Sequence, residues 1–137
     1  MATRVDAYLD TAALIAFLDR SDTHHPLFAR LFATPPRLLT SSLVIGEGHG
    51  WFLRRYDGHR ALQFLDFIDS LPQLTISAVT KQTLVEATAI LRRFSDQPLT
   101  LADVVGLHLM SHHGITSCWS TDRHLSLTGV PLVIHQV

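Results

Sequence analysis

Ala7-Tyr8-Leu9-Asp10-Thr11-Ala12-Ala13-Leu14-Ile15-Ala16-Phe17-Leu18 runs from a strand through an acid into a helix. Tyr8-Leu9 forms the centre of a short first strand. Residues 11–20 read as a helix with Leu14, Ile15 and Leu18 on one face. Asp10 stands at the junction. The alternation continues outward from there. Asp22 or Thr23 is placed to cap a second helix carrying Leu27, Phe28, Leu31 and Phe32, and Pro35-Pro36 stops it. Residues 37–40 read as a strand, and Ser41 or Ser42 caps a third helix to about residue 56. After Asp57-Gly58, a fourth helix aligns Ala61, Leu65 and Ile68. Residues 74–78 read as a strand, and Thr80 caps a fifth helix. Pro98 breaks the chain, and Thr100 caps a sixth helix that ends at Gly114. Residues 116–120 form a strand before a helical turn near Asp122, and residues 132–134 form a last edge strand. Strands alternating with helices predict one three-layer α/β domain over residues 1–137. Its central sheet is mostly parallel, with about four to five strands.

At 137 residues and 47% apolar, the chain is long enough to bury a core without disulfides. Cys118 is the one cysteine, which fits a reducing compartment. The opening Met-Ala-Thr-Arg-Val-Asp has no signal-peptide character, and no apolar run reaches the roughly 18 residues of a membrane span. The expectation is a soluble cytoplasmic protein with no membrane association. A net charge of -1 excludes a whole-molecule basic field, so any nucleic-acid contact is local.

Four acids fall at or just inside helix starts: Asp10, Glu47, Asp103 and Asp122. In a parallel sheet these positions converge on one end. Two unit charges about 4 Å apart repel by roughly 4 kcal/mol at an effective dielectric of about 20. A divalent cation would relieve that repulsion. Taken singly, Asp10 and Asp122 also read as N-caps, and Thr100-Leu101-Ala102-Asp103 reads as a capping box. Glu47 resists that explanation, because it sits between Leu43 and Trp51 on an apolar stripe. Asp103 shares a face with Leu107 and Met110 on a helix apolar nearly all round, so its carboxylate needs a partner. Hard oxygen ligands favour Mg²⁺ or Mn²⁺ over zinc.

These residues carry a family resemblance. It runs through Leu9 to Asp19, Thr40-Ser41-Ser42-Leu43-Val44-Ile45-Gly46-Glu47, Leu99-Thr100-Leu101-Ala102-Asp103, and Ser120-Thr121-Asp122-Arg123-His124-Leu125 with Gly129-Val130-Pro131. The chain resembles PIN-domain ribonucleases, and among them the small VapC-like toxins of prokaryotic toxin–antitoxin pairs. The resemblance implies a Mg²⁺-dependent endoribonuclease with RNA as substrate, a cognate antitoxin as partner, and a homodimer. It matches Asp10 and Asp103 to the main metal ligands, Glu47 to the acid of the third helix, and Asp122 to the acid after the penultimate strand. Thr11 and Thr121 take the small hydroxyl positions beside the acids, and Thr100 caps or orients a carboxylate.

Arg54, Arg55 and Arg123 are the first candidates for RNA phosphate contacts, although Arg54-Arg55 also suits a solvated helix end. Gly46, Gly48 and Gly50 depart from the family pattern. Gly46 and Gly50 share a face, which points to close helix packing ahead of close approach by RNA backbone. His108, His112 and His113 lack the third ligand and the glutamate of a zinc motif. The alternative function is a catalytically inactive PIN-like module that binds RNA or protein. A phosphoacceptor domain wants a lysine that Lys81 does not supply. A dehalogenase-like hydrolase wants an acid where Ala12 stands.

Overall fold

In a computed structural model, residues 4–137 are described. Residues 1–3, which open the stretch read above for signal-peptide character, lie outside them. The four strands are β1 (Ala7–Leu9), β2 (Leu38–Ser41), β3 (Leu74–Ser77) and β4 (Cys118–Trp119). All pair in parallel, in the order β3-β2-β1-β4. The helices are α1 (Thr11–Leu18), α2 (His25–Ala33), α3 (Ser42–Arg55), α4 (Gly58–Asp69), α5 (Lys81–Arg93) and α6 (Leu101–His112).

Period-two side-chain alternation makes the three layers. Ala7, Leu9, Leu38 and Trp119 point to one face, where α1 to α4 cover them with Leu14, Phe28, Phe32, Val44, Phe52 and Phe64. Tyr8, Leu39 and Cys118 point to the other face, against α5 and α6 with Ala87, Val104, Val105, Leu107 and Met110. Register follows the same logic: Ala7 pairs with Leu38, and Leu9 with Trp119. The chain leaves β1 toward β2 and β3 on one side and returns to β4 on the other. The direction of progression therefore reverses between β1 and β4, which is where open α/β sheets place ligands.

Local chemistry sets the helix ends. Ser41 accepts from the Val44 N–H, Thr80 and Thr83 form a reciprocal capping box, and so do Thr100 and Asp103. At the end of α6, Gly114 takes φ 63°, Ile115 N–H donates to Met110 O at 2.9 Å, and Gly114 N–H to Ser111 O at 3.3 Å. That pairing satisfies the last carbonyls and favours glycine.

Three expectations need correction. Neither Asp22 nor Thr23 caps α2, which begins at His25 with Pro26 in its first turn; the Asp22 carboxylate accepts from His24 N–H at 2.8 Å. The expected strand at 132–134 is a single bridge from Leu132 to Cys118, followed by a 3-10 turn over Val133–His135. Its neighbour β4 has only two residues, too few to template a ladder. The glycine run is not explained by Gly46 and Gly50. A Cβ on Gly48 would meet Phe64 Cε2 at 2.7 Å, whereas one on Gly46 would meet nothing within 4 Å. Gly48 is the residue that lets α4 close on α3.

Phe64 is fully buried and stacked on Phe52 at 5.6 Å between ring centroids, so it has little room to yield. Gly48→Ala should therefore lower unfolding free energy by about 1–2 kcal/mol, the overpacking loss exceeding the helix-propensity gain. Gly46→Ala should raise it by about 0.5–1 kcal/mol. Denaturant titration of the two variants checks the opposite signs.

Candidate active site

Two strand ends set the floor of the site. Asp10 N–H donates to Trp119 O at 3.0 Å, and Thr40 Oγ1 donates to Leu9 O at 2.6 Å. These bonds fix the carboxyl ends of β1, β2 and β4 against one another. Asp10 is the first residue beyond β1, at the N-cap position of α1, yet its side chain makes no capping hydrogen bond. Instead its Oδ2 accepts from Ser120 Oγ at 2.7 Å. The same Ser120 oxygen accepts from Asp122 N–H at 2.9 Å. One fully buried hydroxyl thus ties the acid after β1 to the loop after β4.

Asp103 is buried in the first turn of α6. Its Oδ2 accepts from Thr100 N–H at 2.9 Å, and its own N–H donates to Thr100 Oγ1 at 3.1 Å. Thr100 therefore holds the Asp103 side chain in a defined rotamer. Asp122 caps the 3-10 turn Arg123–Ser126 by accepting from His124 N–H at 3.0 Å. The His124 ring also lies on it, with Nδ1 3.0 Å from Asp122 Oδ1.

Glu47 is exposed, in the second turn of α3, and its stripe neighbours Leu43 and Trp51 line open space on one side while packing against the two cores on the other. An open cleft of about 350 Å³ is lined by Asp10, Thr11, Ala12, Ile15, Glu47, Trp51, Arg54, Thr100, Asp103 and Asp122. All four predicted acids thus face one cleft. Ligand atoms of Asp103, Asp122 and His124 lie within 4.8 Å of one another. Asp10 and Glu47 line the same cleft outside that tight group.

The other predicted positions divide. Thr11 lines the cleft, and its buried Oγ1 has no hydrogen-bond partner. Thr121 is half-buried beside Asp122 and is not among the lining residues. Arg54 reaches the cleft. Arg55 instead stacks on Tyr56, 5.3 Å from the ring centroid. Arg123 is exposed and lines a separate hollow with Gln97 and Ser126. Ser120 and His124 were quoted in the sequence motif without a role. Ser120 is 110 residues from Asp10 in the chain, a contact that no local pattern reveals. His108 pairs with Glu86 at 2.8 Å, which accounts for one of the three clustered histidines.

Burial pushes the Asp10 carboxyl up from 3.8 to about 6; the Ser120 hydrogen bond opposes the rise, and the charges of Asp103 and Glu47 add to it. The donor set suits a hard divalent cation. The cleft lining supplies carboxylate oxygens with the orphaned Thr11 hydroxyl beside them, and the His124 imidazole joins Asp103 and Asp122 at its margin. A cation would offset both the desolvation and the mutual repulsion. Burial also pushes the Cys118 thiol well above its ordinary value, so it is an inert core residue.

Comparison with known proteins follows this geometry. A PIN-domain sequence profile matches residues 7–130. The chain belongs to the PIN-domain family. This PIN domain is 28% identical over 124 residues to the 23S rRNA-specific endonuclease VapC20 of Mycobacterium tuberculosis, covering 89% of this chain and 93% of the relative. Its fold matches the crystal structure of M. tuberculosis VapC20, described as a Sarcin-Ricin loop cleaving toxin. That match has TM-score 0.84 at 24% identity, over 92% of this chain and 97% of that one. A toxin–antitoxin complex from Klebsiella pneumoniae matches with TM-score 0.61 at 18% identity, over 93% and 95%. The expected three-layer α/β architecture is the PIN fold, with four strands in its sheet.

The raised Asp10 carboxyl makes a pH prediction for this PIN domain. Between about pH 4 and 6 the folded state holds a proton that the unfolded state has lost, so stability falls as pH rises through that window. The contribution is on the order of 2–3 kcal/mol. In chelator-treated protein, Asp10→Asn should match wild type near pH 4 and exceed it at pH 7.5. Denaturant unfolding at both values measures this; a wild type more stable than the variant at pH 7.5 contradicts the burial argument.

Proposed function

We propose that this PIN domain is a divalent-cation-dependent endoribonuclease and the toxin of a toxin–antitoxin pair. The observation that carries the reading is the convergence of Asp10, Glu47, Asp103 and Asp122 on one cleft, at the sheet's reversal point. Those four residues would hold the cation, Mg²⁺ or in substitution Mn²⁺. When bound, such an ion supplies charge neutralisation at the scissile phosphate and lowers the pKa of a bound water.

The protein's own residues do the rest. Ser120 and Thr100 each fix one carboxylate, Asp10 and Asp103, so that the acids are oriented before substrate arrives. One of the four carboxylates would also orient the attacking water, and Glu47 is the one exposed at the cleft. Arg54, on the same helix, offers a bidentate donor to a neighbouring phosphate. Hydrolysis forms a bond from water oxygen to phosphorus and breaks one phosphorus–oxygen ester bond of the chain.

The relatives' substrate makes 23S rRNA the first RNA to test. The structural likeness to a chain of a toxin–antitoxin complex supports an antitoxin partner, and a homodimer is part of the same reading. Leu53 and Leu62 on α3 and α4 with Tyr56 in the turn between them, and Ile76, Leu84 and Val85 on β3 and α5, are exposed apolar side chains suited to such contacts. Among the described residues no helix is long and apolar enough to cross a membrane. An RNA substrate would place the protein in the cytoplasm. The second reading, an inactive RNA- or protein-binding module, is disfavoured by the full set of acids; absence of cation binding in calorimetry would restore it.

The test is end-mapping of total RNA incubated with purified protein, with Mg²⁺ and with chelator. Asp103→Asn should abolish cleavage and remain folded, because an asparagine oxygen still accepts from Thr100 N–H. Ser120→Ala should reduce cleavage or cation affinity by about 10–100-fold. Asp103→Asn cutting RNA at the wild-type rate would sink the reading.

A further inference from the structure

A second depression adjoins the acid cleft and has no part in the chemistry described so far. It has a volume of about 390 Å³ and is lined by Ser42, Leu43, Gly46, Glu47, Thr100, Leu101 and Ala102. It shares Glu47 and Thr100 with the acid cleft, so the two are one continuous surface. Glu47, at that junction, is its single charged side chain. The rest of the lining is mainly apolar, and Leu101 stays 42% exposed although it is a large aliphatic at the start of α6.

Gly46 keeps the depression open. A Cβ there would meet nothing within 4 Å, so neither helix packing nor backbone conformation calls for glycine at this position. Gly46 nevertheless weakens α3 by about 1 kcal/mol relative to alanine. What glycine does supply is an uncovered stretch of helix beside Leu43 and Leu101. Ser42 adds one polar group: its Oγ accepts from Val79 N–H at 3.2 Å, leaving the hydroxyl hydrogen to donate.

We propose that the groove between Gly46 on α3 and Leu101 on α6 receives an unpaired nucleobase flanking the scissile phosphate. The proposal rests on the endoribonuclease reading and specifies a subsite within it. Apart from Glu47, which belongs with the cation, the groove offers a phosphate group only apolar walls and no counter-charge. A flat, uncharged base gains from them, and RNA-binding proteins recognise single-stranded bases splayed out of the stack. The Ser42 hydroxyl would donate to a base carbonyl. The opposite end of the cleft, with Trp51 and Arg54, is left for the sugar–phosphate chain.

The test pairs a filled groove with a missing base. Gly46→Leu fills the depression, and Leu101→Ser removes its wall at an exposed position where folding is not at stake. Each variant and wild type is given a short RNA that wild type cleaves, and a series of the same RNA with one abasic nucleotide near the cut. On intact RNA each variant should lose about tenfold in kcat/KM, the scale of one base contact. At one abasic position wild type should lose the same factor, and there the variants should lose nothing further. Variants that cut intact RNA at the wild-type rate overturn the proposal. So do losses that multiply at every abasic position, which would assign the groove to backbone or, with a changed sedimentation coefficient, to a second copy of the chain. Failure of wild type to cut any RNA would instead overturn the endoribonuclease reading.

Discussion

Asp10 is a carboxylate held beneath the surface where the sheet reverses direction, and the neighbouring structure answers to that burial. A buried, charged carboxylate is unfavourable unless it finds hydrogen bonds or a counter-charge. Ser120 supplies a hydrogen bond at 2.7 Å and is itself fully buried to do so. Ser120 is positioned by β4, which pairs with β1 through Tyr8–Cys118 and Leu9–Trp119. The two-residue β4 thus has a role beyond its length: it delivers the hydroxyl that supports Asp10 and the loop that carries Asp122. The charges of Asp103 and Glu47 raise the carboxyl further, a repulsion that a cation at this site would offset.

The two sides of the cleft are built differently, and the difference is physical. Asp10 and Asp103 are buried and hydrogen-bonded, which fixes their oxygens in place. Glu47 projects from an exposed stripe of α3 and keeps its rotamer freedom. Along that helix, Gly46, Glu47, Trp51 and Arg54 follow one another over about 12 Å at 1.5 Å per residue. A single helix therefore presents an open apolar edge, an acid, an aromatic ring and a guanidinium in sequence. Gly48, one residue past Glu47 but turned inward, lets Phe64 lock this helix against α4.

Much of the fold was legible because its signals are local. The Ser41, Thr80 and Thr100 caps are side-chain-to-backbone bonds within three residues, and each stands where the sequence placed it. The apolar periodicities of α4 and α6 identify faces that the structure buries. The errors arose where tertiary context decides. Residues 132–134 have strand composition but meet a neighbour too short to pair with. Pro26 starts α2 later than the nearest capping side chains suggest. Glu47 shares a stripe with Leu43 and Trp51, and periodicity does not distinguish a stripe facing the core from one that also lines a cleft. Ser120 was invisible as a partner of Asp10, since the chain brings the two together only through β-sheet pairing, whereas the His124 contact with Asp122 is local.

A net charge of -1 confines any nucleic-acid contact to a local patch, and the layout of the cleft offers one without a basic surface. A protein that grips RNA along its length needs many phosphate contacts, and its affinity then falls steeply with salt. Here the acids are confined to one cleft, with Arg54 at its edge and uncharged lining on the adjoining side. A divalent ion among the four carboxylates would make the local charge at a phosphate less negative while the rest of the molecule is unchanged. On the proposed reading, attraction would then be focused on the point of cleavage. Recognition of an RNA would be left to shape and to the uncharged contacts beside it.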